Sequence, residues 1–150
     1  MALVWSCKAF DALSAAELYQ SLQLRSEVFV LEQQCVYLDP DGLDLQAWHL
    51  MGRDDDRLLA YLRLLPPGLK ADEPVIGRVV TTPAARGSGL GRQLLSQALV
   101  ECEKLWPGRA LFLSAQAHLQ SFYGGLGFVP VSGQYVEDGI AHVDMRRPGT

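Results

Sequence analysis

The sequence has few cysteines, no long hydrophobic run and no excess of basic charge. Its three cysteines, Cys7, Cys35 and Cys102, lie far apart and form no C-x-x-C pair, so neither a disulfide framework nor a zinc knuckle is expected. No apolar run reaches the roughly 18 residues that a membrane-spanning helix requires, and the N-terminus has no secretory signal pattern. These absences predict a cytoplasmic protein without a membrane partner.

Acidic side chains outnumber basic ones by 17 to 13, which gives a formal net charge of −4. An acidic surface repels phosphate backbones, so no nucleic-acid partner is expected, and cationic acceptors are favoured instead. The three histidines, His49, His118 and His142, have no metal-ligand spacing, so no metal is expected either.

A chain of 150 residues with 49% hydrophobic and 20% charged residues is typical of one globular domain, predicted here to span residues 1–150. The pattern predicts a strand over residues 2–10 and a helix that Ser14 caps and that continues to about Leu31. A long acidic loop over residues 32–46 follows it. Loops of that length without periodicity are often functional.

The rest of the chain alternates between strand and helix patterns. Strands are predicted over residues 47–53, 57–65 and 74–82, a helix over 88–105, a buried strand over 110–115, a short helix over 118–126 that ends at Gly127, and a last hairpin over 128–135 and 140–146. The order β-α-β-β-β-α-β-α-β-β predicts an α/β domain with a mixed sheet.

A glycine-rich turn, residues 86–91 (RGSGLG), joins the third of these strands to the longest helix. The first amides of a helix lack intrahelical partners and the helix dipole adds positive charge there, so the turn is a candidate phosphate site. Arg86 and Arg92 flank it as cationic donors. The alternative is that the glycines only make a tight turn. Glycine costs about 1 kcal/mol against alanine in a helix, which favours the binding interpretation.

Two nucleotide motifs fail on spacing. No lysine follows the glycines as a P-loop requires, and position 92, where the dinucleotide fingerprint needs glycine, is arginine. The spacing of Arg86, Gly89 and Gly91 instead resembles the coenzyme A signature R-x-x-G-x-G of the GNAT superfamily of N-acetyltransferases. Residues 121–128 (SFYGGLGF) are similar to the F-Y-x-x-x-G-F helix of that superfamily. Residues 25–33 and 39–44 resemble its ElaA-type branch.

The resemblance implies a strongly bent mixed sheet of about seven strands with helices on both faces, and acetyl-CoA as the acyl donor. The backbone of residues 79–81 would hold the pantetheine arm, and the amides of residues 87–92 the pyrophosphate. The residues that the resemblance assigns to the cofactor are Val79, Val80, Thr81, Arg86, Gly87, Ser88, Gly89, Leu90, Gly91, Arg92 and Gln116. Gln116 stands where family members often carry asparagine.

Tyr123 matches the tyrosine of the family, which lies near the thioester sulfur and protonates the departing thiolate. Tyrosine has an ordinary pKa of about 10 and a thiol one of about 8.5, so this transfer is feasible in a hydrogen-bonded complex. The alternative is a half-buried core aromatic. The resemblance further implies direct attack of an amine on acetyl-CoA, with a backbone amide polarising the thioester carbonyl.

The acceptor amine must lose a proton, so a base or a water path to one is needed. His49 is the leading candidate because its strand adjoins the acidic loop and histidine titrates near neutral pH; His142 is another. Arg25, Glu32, Asp41 and Asp44 are candidates for acceptor binding, although solvated loop acids are the commoner case. The acceptor is expected to be a small-molecule or peptide amine, and a monomer and a homodimer remain open.

Two other functions remain open. Arg25, Phe29, Asp41, Asp44 and Arg63 look broadly like the conserved set of the acyl-homoserine-lactone synthases, which generally lack the full glycine loop. A non-catalytic CoA-binding module is the second alternative, and Tyr123 argues against it. Cys35 is an alternative nucleophile only if its thiol proves accessible and reactive.

Overall fold

The computed structural model describes residues 3–150 and contains a mixed sheet of eight strands in the order β1-β2-β3-β4-β5-β8-β6, with β7 also paired to β8. The strands are β1 (Val4–Ala9), β2 (Trp48–Asp54), β3 (Arg57–Leu65), β4 (Val75–Thr81), β5 (Leu111–Gln116), β6 (Val129–Pro130), β7 (Tyr135–Glu137) and β8 (Ile140–Arg147). The predicted α/β fold is confirmed, with eight strands instead of about seven. Ala2, where the first predicted strand begins, lies outside the described residues.

Three α-helices connect the strands: α1 (Ala15–Arg25), α2 (Leu90–Leu105) and α3 (Gln120–Gly124). Ser14 and Glu17 form the predicted capping box at the start of α1, where each side chain bonds the other residue's backbone amide. The helix continues beyond Arg25 as a π-helical segment, Ser26–Glu32, so the helical pattern extends about as far as predicted but with a wider turn. Within residues 3–150, no helix is both long and apolar enough to cross a bilayer.

The helices cover both faces of the sheet because side chains alternate along the strands. Leu62 and Leu64 of β3 face α2, where they pack with Leu94. Tyr61 of the same strand faces the other side and packs with Leu24 of α1. The face of the sheet under α1 also carries buried polar side chains, among them His49 and Arg63.

Strands β4 and β5 are parallel neighbours, but they pair only at Val75 and Phe112. The amide of Phe112 donates to the carbonyl of Pro74 at 3.0 Å, and beyond this point the two strands separate. This separation leaves the C-terminal halves of both strands with backbone groups available to a ligand.

The last third of the chain differs in part from the prediction. The expected strand over residues 128–135 is wrong, because β6 covers only Val129–Pro130 and β7 begins at Tyr135. In the segment between them, the hydroxyl of Ser132 accepts from the amide of Asp144 and takes the place of a strand partner. The predicted short helix is a 3-10 turn, Ala117–Leu119, followed by α3.

Candidate acyl-CoA site

A cavity of about 630 Å³ lies where β4 and β5 separate. Five parts of the chain line it: the π-helical segment and the residues after it, β4, the glycine loop with the start of α2, the end of β5 with α3, and the β7–β8 hairpin. The predicted site residues in its lining are Glu32, Val79, Val80, Thr81, Arg86, Gly87, Gly89, Leu90, Gly91, Arg92, Gln116 and Tyr123. The cavity therefore brings together most of the residues assigned to the cofactor.

The glycine loop leaves the first turn of α2 open toward this cavity. Gly87 and Gly89 both have φ of +81°, a left-handed conformation that favours glycine. Gly91 has no such φ, and a Cβ added there would meet no atom within 4 Å. The fold itself therefore does not require glycine at Gly91, and the space beside this residue is open.

The polar side chains around the glycine loop are those of Ser88, Arg86 and Arg92. Ser88 does not line the cavity; its hydroxyl donates to the carbonyl of Ala85 and so closes the turn. Arg86 and Arg92 do line it. The guanidinium of Arg86 forms an ion pair with Glu32, and both side chains are partly exposed.

A β-bulge in β4 shapes the middle of the cavity. Tyr61 pairs with Val80 and Arg63 with Gly77, so Leu62 of β3 faces two residues, Arg78 and Val79. Arg78 takes a left-handed φ of +52°, which is uncommon for a residue other than glycine. The bulge interrupts the ladder beside the cavity, where it re-aims the backbone of β4.

Tyr123 lies on α3 and is only 5% exposed. Its ring makes edge contacts with Phe122 and Phe128, with centroids 5.1 and 6.1 Å away. Burial raises the pKa of Tyr123 to about 12, so its hydroxyl keeps its proton at neutral pH. The ring is thus a core aromatic that also reaches the cavity.

Two aspartates of the predicted acidic loop, Asp39 and Asp44, are buried, because the loop aspartates form an ion-pair cluster with arginines of the sheet and α1. Asp41, at the edge of the cluster, keeps 36% side-chain exposure. The pairs are Arg25–Asp39 at 2.7 Å, Arg25–Asp44 at 2.8 Å, Arg63–Asp41 at 2.7 Å, Arg63–Asp44 at 3.0 Å and Arg78–Asp39 at 3.0 Å. Three arginines balance three aspartates, so the cluster is neutral. Arg25, Asp41 and Asp44 lie outside the cavity lining, where they hold the segment over residues 33–46 against the sheet.

Two opposing effects set the charge state of this cluster. Burial alone would raise the pKa of Asp44, but the hydrogen bonds and charges of Arg25 and Arg63 outweigh it and lower that pKa. The hydrogen bonds from Arg63 lower the pKa of Asp41 well below its ordinary range. Both aspartates are therefore firmly ionised at neutral pH, as the ion pairs require.

His49 also lies outside the cavity lining and is fully buried. Its Nε2 lies 2.9 Å from the carbonyl of Asp44, which can only accept, so Nε2 carries the proton. Its Nδ1 therefore accepts from the hydroxyl of Tyr61 at 2.7 Å. Burial lowers the pKa of His49, so the ring is neutral with both nitrogens already bonded. This placement argues against the base role expected for it.

The cavity lining contains residues to which the sequence assigned no cofactor role, and Cys35, named only as an alternative nucleophile, is one of them. Cys35 donates from Sγ to the carbonyl of Asp138 at 3.2 Å, and this contact joins the segment after the π-helix to the β7–β8 turn. Arg78 lies 4.6 Å from the ring centroid of Phe29 and donates to Tyr37 at 2.8 Å. A positive φ in the middle of a strand has no sequence signal. Residues 137–139 (EDG) were predicted only as a turn.

A bent mixed sheet that separates around a cavity, with a glycine loop at the start of the following helix, defines an acyl-CoA N-acyltransferase fold. The chain belongs to the GNAT acetyltransferase family, since the family model for the acetyltransferase (GNAT) domain matches residues 46–148. That membership indicates an N-acetyltransferase that uses an acyl-CoA co-substrate.

Individual relatives agree with this membership. Protein ElaA of Escherichia coli K12 is 46% identical over 145 residues, 95% of this chain and 95% of that protein. Its crystal structure matches with a TM-score of 0.92 at 44% identity, covering 97% of this chain and 99% of that chain. An acyl-CoA N-acyltransferase from Pseudomonas aeruginosa matches with a TM-score of 0.94 at 54% identity, with coverage of 97% and 99%.

The fold also occurs outside the acetyltransferases. A CoA-dependent acyl-homoserine lactone synthase matches with a TM-score of 0.79 at 15% identity, covering 97% of this chain and 82% of that chain. At this identity the likeness is one of fold alone.

Proposed function

We propose that the chain transfers an acetyl group from acetyl-CoA to a primary amine by direct attack of the amine, with Tyr123 as the general acid. The observation that carries the proposal is the cavity between β4 and β5, which has the glycine loop at one part of its lining and Tyr123 at another. Residues 1–150 then form a single N-acetyltransferase domain. We retain a cytoplasmic location as part of the proposal, supported by the free thiols of all three cysteines.

The residues of the cavity fit an acyl-CoA molecule. The amides over residues 87–92 would hold the pyrophosphate, because glycine leaves the approach open and the helix dipole favours negative charge. The half of β4 that does not pair with β5, from Val79 to Thr81, would bond the pantetheine amides as an added strand does. Gln116 at the end of β5 offers an amide side chain from the opposite side of the cavity.

Acetyl-CoA supplies the acetyl group as a thioester. The bulge at Arg78 and Val79 supports the assignment of a backbone amide of β4 to the thioester carbonyl, since the ladder is interrupted there. Tyr123 would give its proton to the departing sulfur. Its raised pKa, about 12, keeps the proton available over the whole physiological range. No covalent enzyme intermediate is needed.

The positions of the predicted base and of the predicted acceptor-binding residues reduce the number of candidates for these roles. His49 has both nitrogens bonded, and Arg25, Asp41 and Asp44 belong to the buried ion-pair cluster, so we assign them structural roles. Of the acceptor-binding candidates, only Glu32 lines the cavity and remains in the proposal. It would attract a cationic amine.

The release of free thiol from acetyl-CoA, followed with a thiol-reactive dye, tests this function. A panel of polyamines, amino acids, aminoglycosides and lysine peptides is tested as acceptors. Amine-dependent release that Gly89→Asp abolishes supports the acetyltransferase. Binding of CoA without release for any amine would support the non-catalytic module. Reaction only with an acyl-carrier-protein thioester would support the homoserine-lactone-synthase alternative.

A further inference from the structure

We propose that His142 is the general base that accepts a proton from the acceptor amine. The assignment rests on the proposed acetyltransferase function and adds to it the residue that prepares the nucleophile. Three observations carry it: the position of His142 in the sheet, its tautomer, and its surroundings.

His142 lies in the middle of β8, between two paired strands. Its register partner on β5 is Gln116 and its partner on β7 is Tyr135. Directly opposite residues of antiparallel strands have Cβ atoms about 5 Å apart on the same face of the sheet. His142 and Gln116 both line the cavity. The imidazole is therefore a neighbour of the side chain that we assign to the pantetheine arm.

Alternation along β8 determines which face the imidazole occupies. Val143 and Met145 are buried in the core under α2, so His142 and Asp144 point to the opposite face. Tyr123 approaches the cavity from the core under α2. A base and an acid that reach one cavity from opposite faces of a sheet can act on the attacking and the leaving atom.

A backbone contact determines the tautomer of His142. Its Nδ1 lies 2.7 Å from the carbonyl oxygen of Ile140, and a carbonyl can only accept, so Nδ1 carries the proton. In the neutral ring Nε2 then has the free lone pair. Within residues 3–150, no protein group hydrogen-bonds Nε2. The ring of Tyr135 stacks on the imidazole with 22° between the planes and limits its rotation.

The other two histidines lack this combination. His49 is buried away from the cavity, and its nitrogens are bonded to Tyr61 and to the backbone of Asp44. His118 lines the cavity but is exposed, and no backbone carbonyl of residues 3–150 determines its tautomer. Of the three, only His142 has one nitrogen anchored and the other free beside the cavity.

Acidic groups lie close to His142. The charged groups closest along the chain and across the sheet are acidic: Asp144 on β8, and Glu137 and Asp138 in the β7–β8 turn. Tyr135 and Ser114, on the neighbouring strands, both donate to Asp144. Carboxylates beside the cavity attract an ammonium acceptor.

The protons balance as follows. The acceptor enters as an ammonium ion and becomes an amide, so its nitrogen loses two protons while the C–N bond forms and the C–S bond breaks. One proton goes to Nε2 of His142 and then to solvent. Tyr123 protonates the leaving thiolate, and the second proton from nitrogen restores Tyr123. The net products are the amide, CoA thiol and one proton released to solvent.

Steady-state kinetics of His142→Ala with acetyl-CoA and the best amine of the panel tests the assignment. General bases contribute typically about 10²–10⁴-fold, so kcat should fall by that factor. The affinity for CoA in calorimetry and the melting temperature should stay as in the wild type, and added imidazole should restore part of the rate. In His118→Ala, which removes a histidine from the same cavity, added imidazole should restore no lost rate.

Wild-type kcat in His142→Ala would overturn the base assignment while leaving the acetyltransferase intact. A loss of kcat that imidazole does not restore, together with a lower melting temperature, would make His142 structural. A wild type that releases no thiol with any amine would instead overturn the acetyltransferase, and the base role with it. A readout without turnover is the ¹⁵N spectrum of the imidazoles, which should show His142 protonated at Nδ1. Protonation at Nε2 would contradict the assignment.

Discussion

The guanidinium of Arg86 donates to the carboxylate of Glu32, with 2.5 Å between Nη1 and Oε1, in the lining of the cavity. In the proposed site Arg86 is a cation beside the glycine loop, so Glu32 would compete with a phosphate group for the same donors. Both side chains are partly exposed, at 44% and 39%. Solvent therefore weakens the pair, and a bound pyrophosphate can replace it at a small cost.

Glu32→Gln should therefore increase the affinity for CoA. Exposed ion pairs contribute about 0.2–1 kcal/mol, so the expected gain is about 1.4-fold to fivefold and should shrink at high salt. Calorimetric titration with CoA measures it. Glu73→Gln is the matched control, because Glu73 pairs with Arg146 outside the cavity lining. An unchanged or weaker affinity in Glu32→Gln would show that this carboxylate does not compete for the phosphate site.

Tyr123→Phe should lower kcat by about 10²-fold and leave CoA affinity unchanged, because it removes only the proton donor. The ring packing against Phe122 and Phe128 remains, so the melting temperature should stay the same. Steady-state kinetics and calorimetry on one preparation separate the two effects. Tyr19→Phe, on an exposed tyrosine of α1, is the control. Equal losses in kcat and affinity would give Tyr123 a purely structural role.

Asp39→Asn should lower the free energy of unfolding by about 3 kcal/mol, because it removes the charge of one of the two aspartates that pair with the buried Arg25. Asp39 and Arg25 are 2% and 0% exposed at the side chain, and their pair is 2.7 Å long. Urea unfolding measures the change. Asp54→Asn breaks the exposed pair with Arg57 and should cost less than about 1 kcal/mol. Similar losses of unfolding free energy in both variants would contradict the view that the buried cluster stabilises the fold more than an exposed ion pair does.

Stability should fall as the pH drops through the acid range. The pKa values of Asp41 and Asp44 are lowered in the folded protein, so the unfolded chain binds more protons below its own aspartate pKa of about 3.9. The stabilisation is complete at neutral pH and is lost as the pH falls from about 4 toward the lowered values. Urea unfolding between pH 7 and pH 3 checks this. Asp44→Asn should make the dependence shallower, whereas Asn at the exposed Asp11 should not.

Local patterns predicted much of the fold. The strand over residues 57–65 is β3 residue for residue, and the apolar stripe from Leu90 to Leu105 is α2. The capping box at Ser14 was also predicted from the sequence. These features depend on residues that are close together in the chain, so the sequence pattern alone is enough to predict them.

The acidic segment over residues 32–46 was harder to interpret, because its partners are distant in the chain. Asp39 and Asp44 are buried only because Arg25 and Arg63 meet them, 14 and 19 residues away. From the sequence alone, such aspartates are expected to be exposed to solvent. The role of His142 depended on a carbonyl contact and on its register with Gln116, and neither has a sequence signal.

Calorimetric titration with acetyl-CoA tests most directly whether the glycine loop holds the acyl donor. Gly89→Asp places a carboxylate at the phosphate site, while Gly68→Asp makes the same change at a glycine with a similar φ, +86° against +81°, outside the cavity. Both variants place a negatively charged side chain on a residue with a similar left-handed φ. Wild type and Gly68→Asp should bind acetyl-CoA with equal affinity, and Gly89→Asp should not bind although it folds. Equal affinity in all three proteins would contradict the site.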